Sequence, residues 1–398
     1  MKILVADDSD AMRSLLQLHL EEWGHEVVLV ENGERAWEHF RDHGCDIVIS
    51  DWMMPGLDGV ELVRRIRAFD RPGYVYAILL TARGRTEDIV AGMEAGADDF
   101  VVKPFDENVL RARIRAGERI VRLEHHLTEA NQRMHHDLEV AAEVQRTFLP
   151  VEPPRIEGLR FAWAFEPCEE LAGDMLSCFR LDEHHAGLYL LDVSGHGVCS
   201  ALHSVTLSRL LAPTPVELSL LREPDGAGGL RPIAPARVAR SLNDRFLSND
   251  RTADFVTLVY GVLDLRTREL RYVSAGHPAP ALIGPGVRAR LLEESPPCIG
   301  FIEGASFREH AVTLAPGDRI YLYSDGIIEA RDASRSQFGA ERLLGALAES
   351  VNVPLDRSIR DLIDRVRGWT DGGRLADDVS VLAMEVPASS PEVVASGP

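Results

Sequence analysis

The chain cannot build a disulfide framework. Its 398 residues hold five cysteines, Cys45, Cys168, Cys178, Cys199 and Cys298. They are odd in number, scattered, and form no CxxC pair, as is usual in a reducing compartment. Basic charge is also scarce. Lys and Arg total 43 against 63 Asp and Glu, a formal charge of -20, which disfavours nucleic acid or an anionic membrane as partner. No helix-turn-helix or zinc-finger pattern occurs. No apolar run approaches a membrane-spanning length, and Met1 leads almost directly into Ile3 to Ala6, leaving no room for a signal peptide. These absences point to a cytoplasmic protein without membrane insertion or nucleic-acid binding, and the length is too great for one ordinary core.

What the chain does have is acid at the ends of apolar runs. In residues 1–118, strand candidates alternate with amphipathic stretches, the pattern of a doubly wound α/β (flavodoxin-like) domain with a parallel sheet. The strands expected are Lys2 to Ala6, Glu26 to Val30, Ile47 to Ser50, Ala77 to Leu80 and Phe100 to Val102. Asp7 and Asp8 follow the first, Asp51 the third, Thr81 the fourth and Lys103 the fifth. The carboxyl ends of parallel strands share one edge, so these positions should converge. Three carboxylates suit Mg²⁺, and Lys103 and Thr81 could neutralise a phosphoryl group arriving at Asp51, which would act as nucleophile.

Together with DWMMPGLDG from Asp51 and KPF from Lys103, these residues resemble the CheY-like receiver domain of bacterial response regulators. The resemblance implies that Asp51 accepts phosphate from a histidine kinase. It also implies that Asp7, Asp8, Asp51 and the Met53 carbonyl bind Mg²⁺, with Thr81 and Phe100 as the switch pair. Taken singly, each would be an ordinary cap, turn or core residue.

No Gly or Pro occurs between Glu118 and Leu149, so residues 119–150 read as a helical linker. Apolar or small residues recur at Ile120, Leu123, Leu127, Ala130, Met134, Leu138, Ala141 and Phe148. The four-four step near Leu138 resembles a heptad stutter, and a parallel coiled coil making a homodimer is expected. The alternative is a helix that packs its stripe on either domain. His125, His126, His135 and His136 lack partners at metal-ligand spacing and should face solvent.

Residues 151–386 change to longer alternating strands with a few helices, expected to form an α+β sandwich. The strands expected are Arg160 to Glu166, Cys178 to Leu181, His185 to Val193, Thr257 to Asp264, Glu269 to Ser274, Ala281 to Ile283 and Arg319 to Ser324. Leu263 to Leu270 reads as a hairpin. Pro213 to Pro235, rich in Pro and Gly, should be a mobile flap or disordered insertion, and residues 387–398 a frayed tail. Asp174 in LAGDM, Asp192 opening DVSGHG, Asp325 after IYLYS, and Asp377 with Asp378 in DDVS each mark a strand margin. Carboxylates around two divalent ions with bridging water suit phosphate-ester hydrolysis without a covalent intermediate.

AEVQRTFLP at Ala142 to Pro150, LAGD, DVSGHG, SAGHP, LAPGDRIYLYSDGIIEA and ADDVS together resemble the SpoIIE and RsbU-type branch of the metal-dependent PPM, or PP2C-like, serine/threonine phosphatases. The resemblance implies two Mn²⁺ or Mg²⁺ ions on Asp174, Asp192 with the Val193 carbonyl, Asp325 and Asp377. Asp192 would bridge the ions, and Asp378 is a weaker candidate. It also implies a phosphorylated STAS-type anti-sigma-factor antagonist as substrate, in a partner-switching pathway. Two positions depart from relatives: Ser177 stands where many have a second Asp, and His196 lies two residues beyond the position of a proposed general acid. His196 could protonate a leaving group, though a turn histidine is the plainer reading, as for His277. Cys178 is either redox-sensitive or a buried structural thiol. A catalytically weak adaptor that sequesters a partner is the alternative function, and lost carboxylates would be its mark. A nucleotide cyclase fails because Met175 follows Asp174 where GGDEF has an acid.

Overall fold

A computed structural model describes residues 1–388 except 72, 83–85, 196, 215–218, 227, 247–254 and 371–374. The chain divides into two compact units, Met1–His136 and Asp137–Pro398.

The first unit alternates strand and helix: β1 Lys2–Ala6, α1 Asp10–Glu22, β2 Glu26–Val30, α2 Gly33–His43, β3 Ile47–Asp51, α3 Gly59–Ala68, β4 Tyr76–Thr81, α4 Thr86–Glu94, β5 Asp99–Val102, and α5 from Glu107. The strands pair in parallel in the order β2-β1-β3-β4-β5, the doubly wound arrangement expected. Apolar runs such as ILVA and IVIS are buried on both faces because helices cover both sides. Short polar residues start the helices: Asn32 caps α2 and Asp58 caps α3, each accepting a backbone N–H at 2.9 and 2.8 Å.

α5 is one uninterrupted helix, Glu107–Arg146. The linker stretch therefore begins inside a helix that starts in the first unit. The apparent stutter at Leu138 has a structural cause. Leu138 turns inward to pack with Ala142, Leu171 and Ala201. The outward face instead runs through Ile120, Leu123, Leu127, Ala130, Met134, Asp137, Ala141 and Val144, an unbroken three-four spacing.

The second unit continues with β6 Arg160–Glu166, β7 Met175–Arg180, β8 His185–Val193, α6 Val198–Leu210, β9 Arg222–Pro224, β10 Leu230–Pro232, α7 Pro235–Phe246, β11 Val256–Asp264, β12 Glu269–Ala275, β13 Ala281–Gly284, β14 Val287–Leu291, β15 His310–Thr313, β16 Arg319–Tyr323, α8 Asp325–Ile328, α9 Gly339–Glu349, α10 Leu355–Trp369 and β17 Val379–Glu385. Two five-stranded sheets form, β15-β12-β11-β8-β7 and β14-β13-β16-β17-β6, giving the expected α+β sandwich.

Strand parity builds three apolar layers. Leu188 and Leu190 of β8 meet Ile320 and Leu322 of β16 between the sheets. Tyr189 and Leu191 face α6 and α7, while Tyr321 and Tyr323 face α9 and α10. The hairpin expected at Leu263 to Leu270 is β11–β12. β7 begins three residues earlier than expected, because β8 pairs it from Met175 onward. The Pro/Gly-rich stretch, expected to be a flap or disordered insertion, contains the antiparallel pair β9–β10 among its described residues. Leu221 anchors it, fully buried in the core.

Candidate functional site

In the first unit, parallel register places Ala6 beside Ser50, Asp51 beside Leu80 and Thr81 beside Val102. Asp7, Asp51, Thr81 and Lys103 therefore collect at one sheet edge. One carboxylate oxygen from each of Asp7, Asp8 and Asp51 lies within 4.8 Å of the others. Asp7 is fully buried and Asp8 exposed.

The Lys103 ammonium donates to Asp7 Oδ2 at 2.7 Å and sits 2.9 Å from Asp51 Oδ1, which also accepts the Trp52 N–H at 2.9 Å. Burial raises the Asp51 carboxyl above the ordinary carboxylate range, and the Lys103 hydrogen bond opposes that rise. Burial disfavours charge on Lys103, but its bonds to Asp7 and Asp51 outweigh this and raise it, so it stays cationic. A Cβ on Gly59 would lie 2.1 Å from the Asp51 carbonyl oxygen, so the turn after the acid requires glycine. Thr81 is buried and its carbonyl accepts the Lys103 N–H at 2.7 Å. Phe100 is half-buried, and the Met53 side chain is largely exposed.

In the second unit, the same parity that fills the intersheet layer with leucine ends it in polar groups. Stepping by two from Leu190 reaches Asp192, from Leu176 Asp174, from Leu322 Ser324, and from Leu382 Ser380 and Asp378. One end of the sandwich therefore carries buried Asp174, Ser324, Ser380 and Asp378 together with the partly buried Asp192. Asp325 opens α8 directly after Ser324, and Asp377 is exposed, its Oδ1 accepting the Asp378 N–H at 2.8 Å.

The LAGD and DVSG segments touch. A Cβ on Gly173 would stand 2.8 Å from the Val193 carbonyl oxygen and 3.4 Å from Asp192 Oδ1. Asp378 spends its carboxylate on main chain, accepting the Cys168 N–H at 2.9 Å and the Gly173 N–H at 2.8 Å. It shapes the loop that presents Asp174. Ser324 Oγ accepts the Ser380 N–H at 2.9 Å and donates to the Asp378 carbonyl at 3.0 Å, tying β16 to β17 beside the acids.

The electrostatics are those of acids held against their repulsion. Burial, then Asp192 and Asp378, raise Asp174 well above its ordinary value. Burial, then Asp325, Asp377 and Asp378, raise Asp192 to about 7. Burial, then Asp377 and Glu329, raise Asp325 to about 6. Among the described residues, Asp174 Oδ2 is buried without a hydrogen-bond partner. A mutually repelling, oxygen-only donor set, with Asp174 buried and Asp192 and Asp325 partly so, fits hard divalent cations, which would remove the repulsion and satisfy that oxygen.

The sign of the pH dependence follows. Well above pH 7 Asp192 and Asp325 are both charged in the metal-free protein and repel. As pH falls toward 4, Asp192 and Asp325 take protons in the folded state that the unfolded chain binds only near 4. In chelator, this set should therefore raise the melting temperature between pH 7.5 and 5.5, an effect that Asp192→Asn should diminish in thermal scans. A melting temperature that depends on pH identically in wild type and variant would refute the coupling.

His196 lies outside the described residues. His277, read as a turn residue, stands in the bend after β12 and is buried there: its Nδ1 is 2.7 Å from Thr257 Oγ1 and burial lowers it to about 3, so it is neutral. The Cys178 thiol is buried and raised to about 12, as a structural thiol would be. Ser177 has the opposite strand parity to Asp174 and so stands on the other face of β7. The sequence reading missed Ser324, Ser380, Thr257 and Gln145. The first three continue an inward-facing alternation and could have been found by counting twos from the buried leucines.

The family model for stage II sporulation protein E (SpoIIE) matches residues 182–387, more than half of the chain, and that for the response regulator receiver domain matches residues 3–115. The transcriptional regulatory protein AfsQ1 of Streptomyces coelicolor is 46% identical over 114 residues, 29% of this chain and 49% of that protein. Protein IcfG of Synechocystis is 27% identical over 263 residues, 62% of this chain and 41% of IcfG. The chain thus spans half or less of the length of these curated relatives. The SiaA-PP2C domain of Pseudomonas aeruginosa shares the fold, with a TM-score of 0.53 at 20% identity, covering 64% of this chain and 98% of that domain. The chain belongs to the SpoIIE family and carries a response regulator receiver domain ahead of its SpoIIE domain.

Proposed function

We propose that this protein is a two-component response regulator in which phosphorylation of Asp51 controls a metal-dependent protein serine/threonine phosphatase. One observation carries the reading: a single chain holds two oxygen-donor acid clusters, each at the end of a sheet, and one helix, α5, leaves the first unit and ends in the second. The receiver would occupy residues 1–118, the linker 119–150 and the phosphatase 151–386, in the cytoplasm.

In the receiver, Asp7, Asp8, Asp51 and the Met53 carbonyl would hold Mg²⁺. An Asp51 oxygen attacks the phosphorus of a kinase phosphohistidine; the new O–P bond forms as the P–N bond breaks, and the histidine leaves. Lys103 and Thr81 then receive phosphoryl oxygens, and Thr81 with Phe100 registers the change.

In the phosphatase, Asp174, Asp192, the Val193 carbonyl, Asp325 and Asp377 would hold two Mn²⁺ or Mg²⁺ ions. Such ions, when bound, lower the pKa of water and offset the charge of phosphate oxygens. Asp192 lies between the others electrostatically, feeling both Asp325 and Asp377, which suits a bridging ligand. Asp378 orients the loop rather than ligating. The substrate class favoured is a phosphorylated STAS-type anti-sigma-factor antagonist. Its test is phosphate release from such a phosphoprotein with Mn²⁺, using Asp325→Ala as blank. Release no greater than the blank, there and on an aryl phosphate, would leave the adaptor reading in its place.

The outward face of α5 supports a homodimer. Leu123, Leu127, Met134 and Val144 are each more than half exposed, and apolar residues at three-four spacing form coiled-coil seams. Leu123→Glu with Leu127→Glu is expected to convert dimer to monomer in light scattering. A wild-type monomer at micromolar concentration would refute the seam.

A further inference from the structure

We propose that Gln145, in the last turn of α5, is a positioning residue for the Asp174 metal-binding loop. The inference rests on the proposed metal site but concerns a residue that touches neither ion nor substrate.

Gln145 is a polar side chain only 4% exposed, and every part of its carboxamide is used. Oε1 accepts the Ala172 N–H at 3.1 Å, and Nε2 donates to the Ala172 carbonyl at 2.7 Å. Nε2 also reaches Ser204 Oγ of α6 at 3.3 Å, and that hydroxyl donates onward to the Ala201 carbonyl at 2.9 Å. The partners fix the amide's orientation, since reversal would set oxygen against carbonyl and N–H against N–H.

Gln145 thus grips both main-chain groups of one residue, two positions before Asp174. The next residue is gripped from the other side, where Asp378 accepts the Gly173 N–H at 2.8 Å. Between these two holds the chain has little freedom, and Gly173 passes close to the Val193 carbonyl and Asp192. Leu171 adds an apolar contact to the same helix through Ala142. The direction of Asp174 is therefore set partly by the last turn of α5. A displacement of that turn by about 1 Å would stretch these bonds beyond useful length.

Glutamate at 145 has the same shape but no donor at neutral pH. It would oppose the Ala172 carbonyl and place a charge in a buried site. Residues that orient metal ligands cost about 10- to 100-fold in metal affinity when changed. In full-length protein with Asp51→Ala, which disables the first metal site, Gln145→Glu is expected to weaken Mn²⁺ binding by that factor in titration calorimetry. The phosphatase rate should show the same split, with a raised Mn²⁺ requirement and kcat recovering at saturating metal.

If Gln145→Glu fails to fold, Gln145→Met keeps the volume and removes the hydrogen bonds. Unchanged Mn²⁺ affinity in a folded variant, or a loss of kcat that metal does not restore, overturns the assignment. The two readings fail separately. A wild type inactive on phosphoproteins, whose Mn²⁺ affinity still falls with Gln145→Glu, refutes the proposed reaction and supports the positioning role.

Discussion

Asp325→Ala is expected to lower phosphate release by about a thousandfold or more, because on the proposed reading it removes a metal-holding carboxylate and with it several kcal/mol of transition-state stabilisation. The structure separates this from unfolding. Burial and the nearby Asp377 and Glu329 raise the Asp325 carboxyl to about 6, so its charge is a cost to the metal-free fold. The variant should therefore melt in chelator at or above the wild-type temperature, while gaining less from added Mn²⁺ than the wild type does. Steady-state rates and thermal scans with and without metal check both halves. Turnover within tenfold of wild type, at equal metal, would remove Asp325 from the site.

The second large effect concerns the receiver. Beryllofluoride, a phosphoryl mimic, should change the phosphatase rate of wild type by about 5-fold or more, the lower end of ordinary coupling energies of 1–3 kcal/mol. It should leave Asp51→Ala unaffected. In the wild type Lys103 is shared between Asp7 and Asp51; an incoming phosphoryl group competes for that ammonium, and Thr81, whose carbonyl is bonded to the Lys103 N–H, lies one step away. Removing Asp51 deletes the proposed acceptor and leaves the Lys103–Asp7 pair. The measurement is the rate of both proteins with and without the mimic. Four equal rates would break the link between Asp51 and the output domain.

Much of the fold was legible because apolar runs carry it. β1, β2, β6 and β8 begin and end at the residues expected, since each is an apolar-rich run bounded by polar or turn residues. β9, β10, β14 and β15 were not read. HAVT is too short to show a period, and pairing with a neighbouring strand supplies what local preference does not; VRARL, by contrast, alternates apolar and basic residues and was open to a strand reading. The linker was legible as a helix, but not the division of its faces. Leu138 and Val144 are equally apolar in sequence, and only the surface beneath the helix turns Leu138 inward and leaves Val144 exposed.

Sequence alone determined the chemistry available: oxygen donors at strand ends, a lysine after the fifth strand, glycines beside the acids, and an uninterrupted helix between the two sets. These are local properties, set by residue type and spacing. Tertiary structure decided which carboxylates are left open and which are bonded to main chain. Asp377 and Asp378 are adjacent and identical in type, yet Asp378 is turned inward onto the main chain of Cys168 and Gly173 while Asp377 is exposed. Asp378 stands directly before β17, on the inward parity of Ser380 and Leu382, whereas Asp377 lies in the bend that precedes it. The same holds for Gln145, one polar residue among many on a charged helix until the fold closes Ala172 around it.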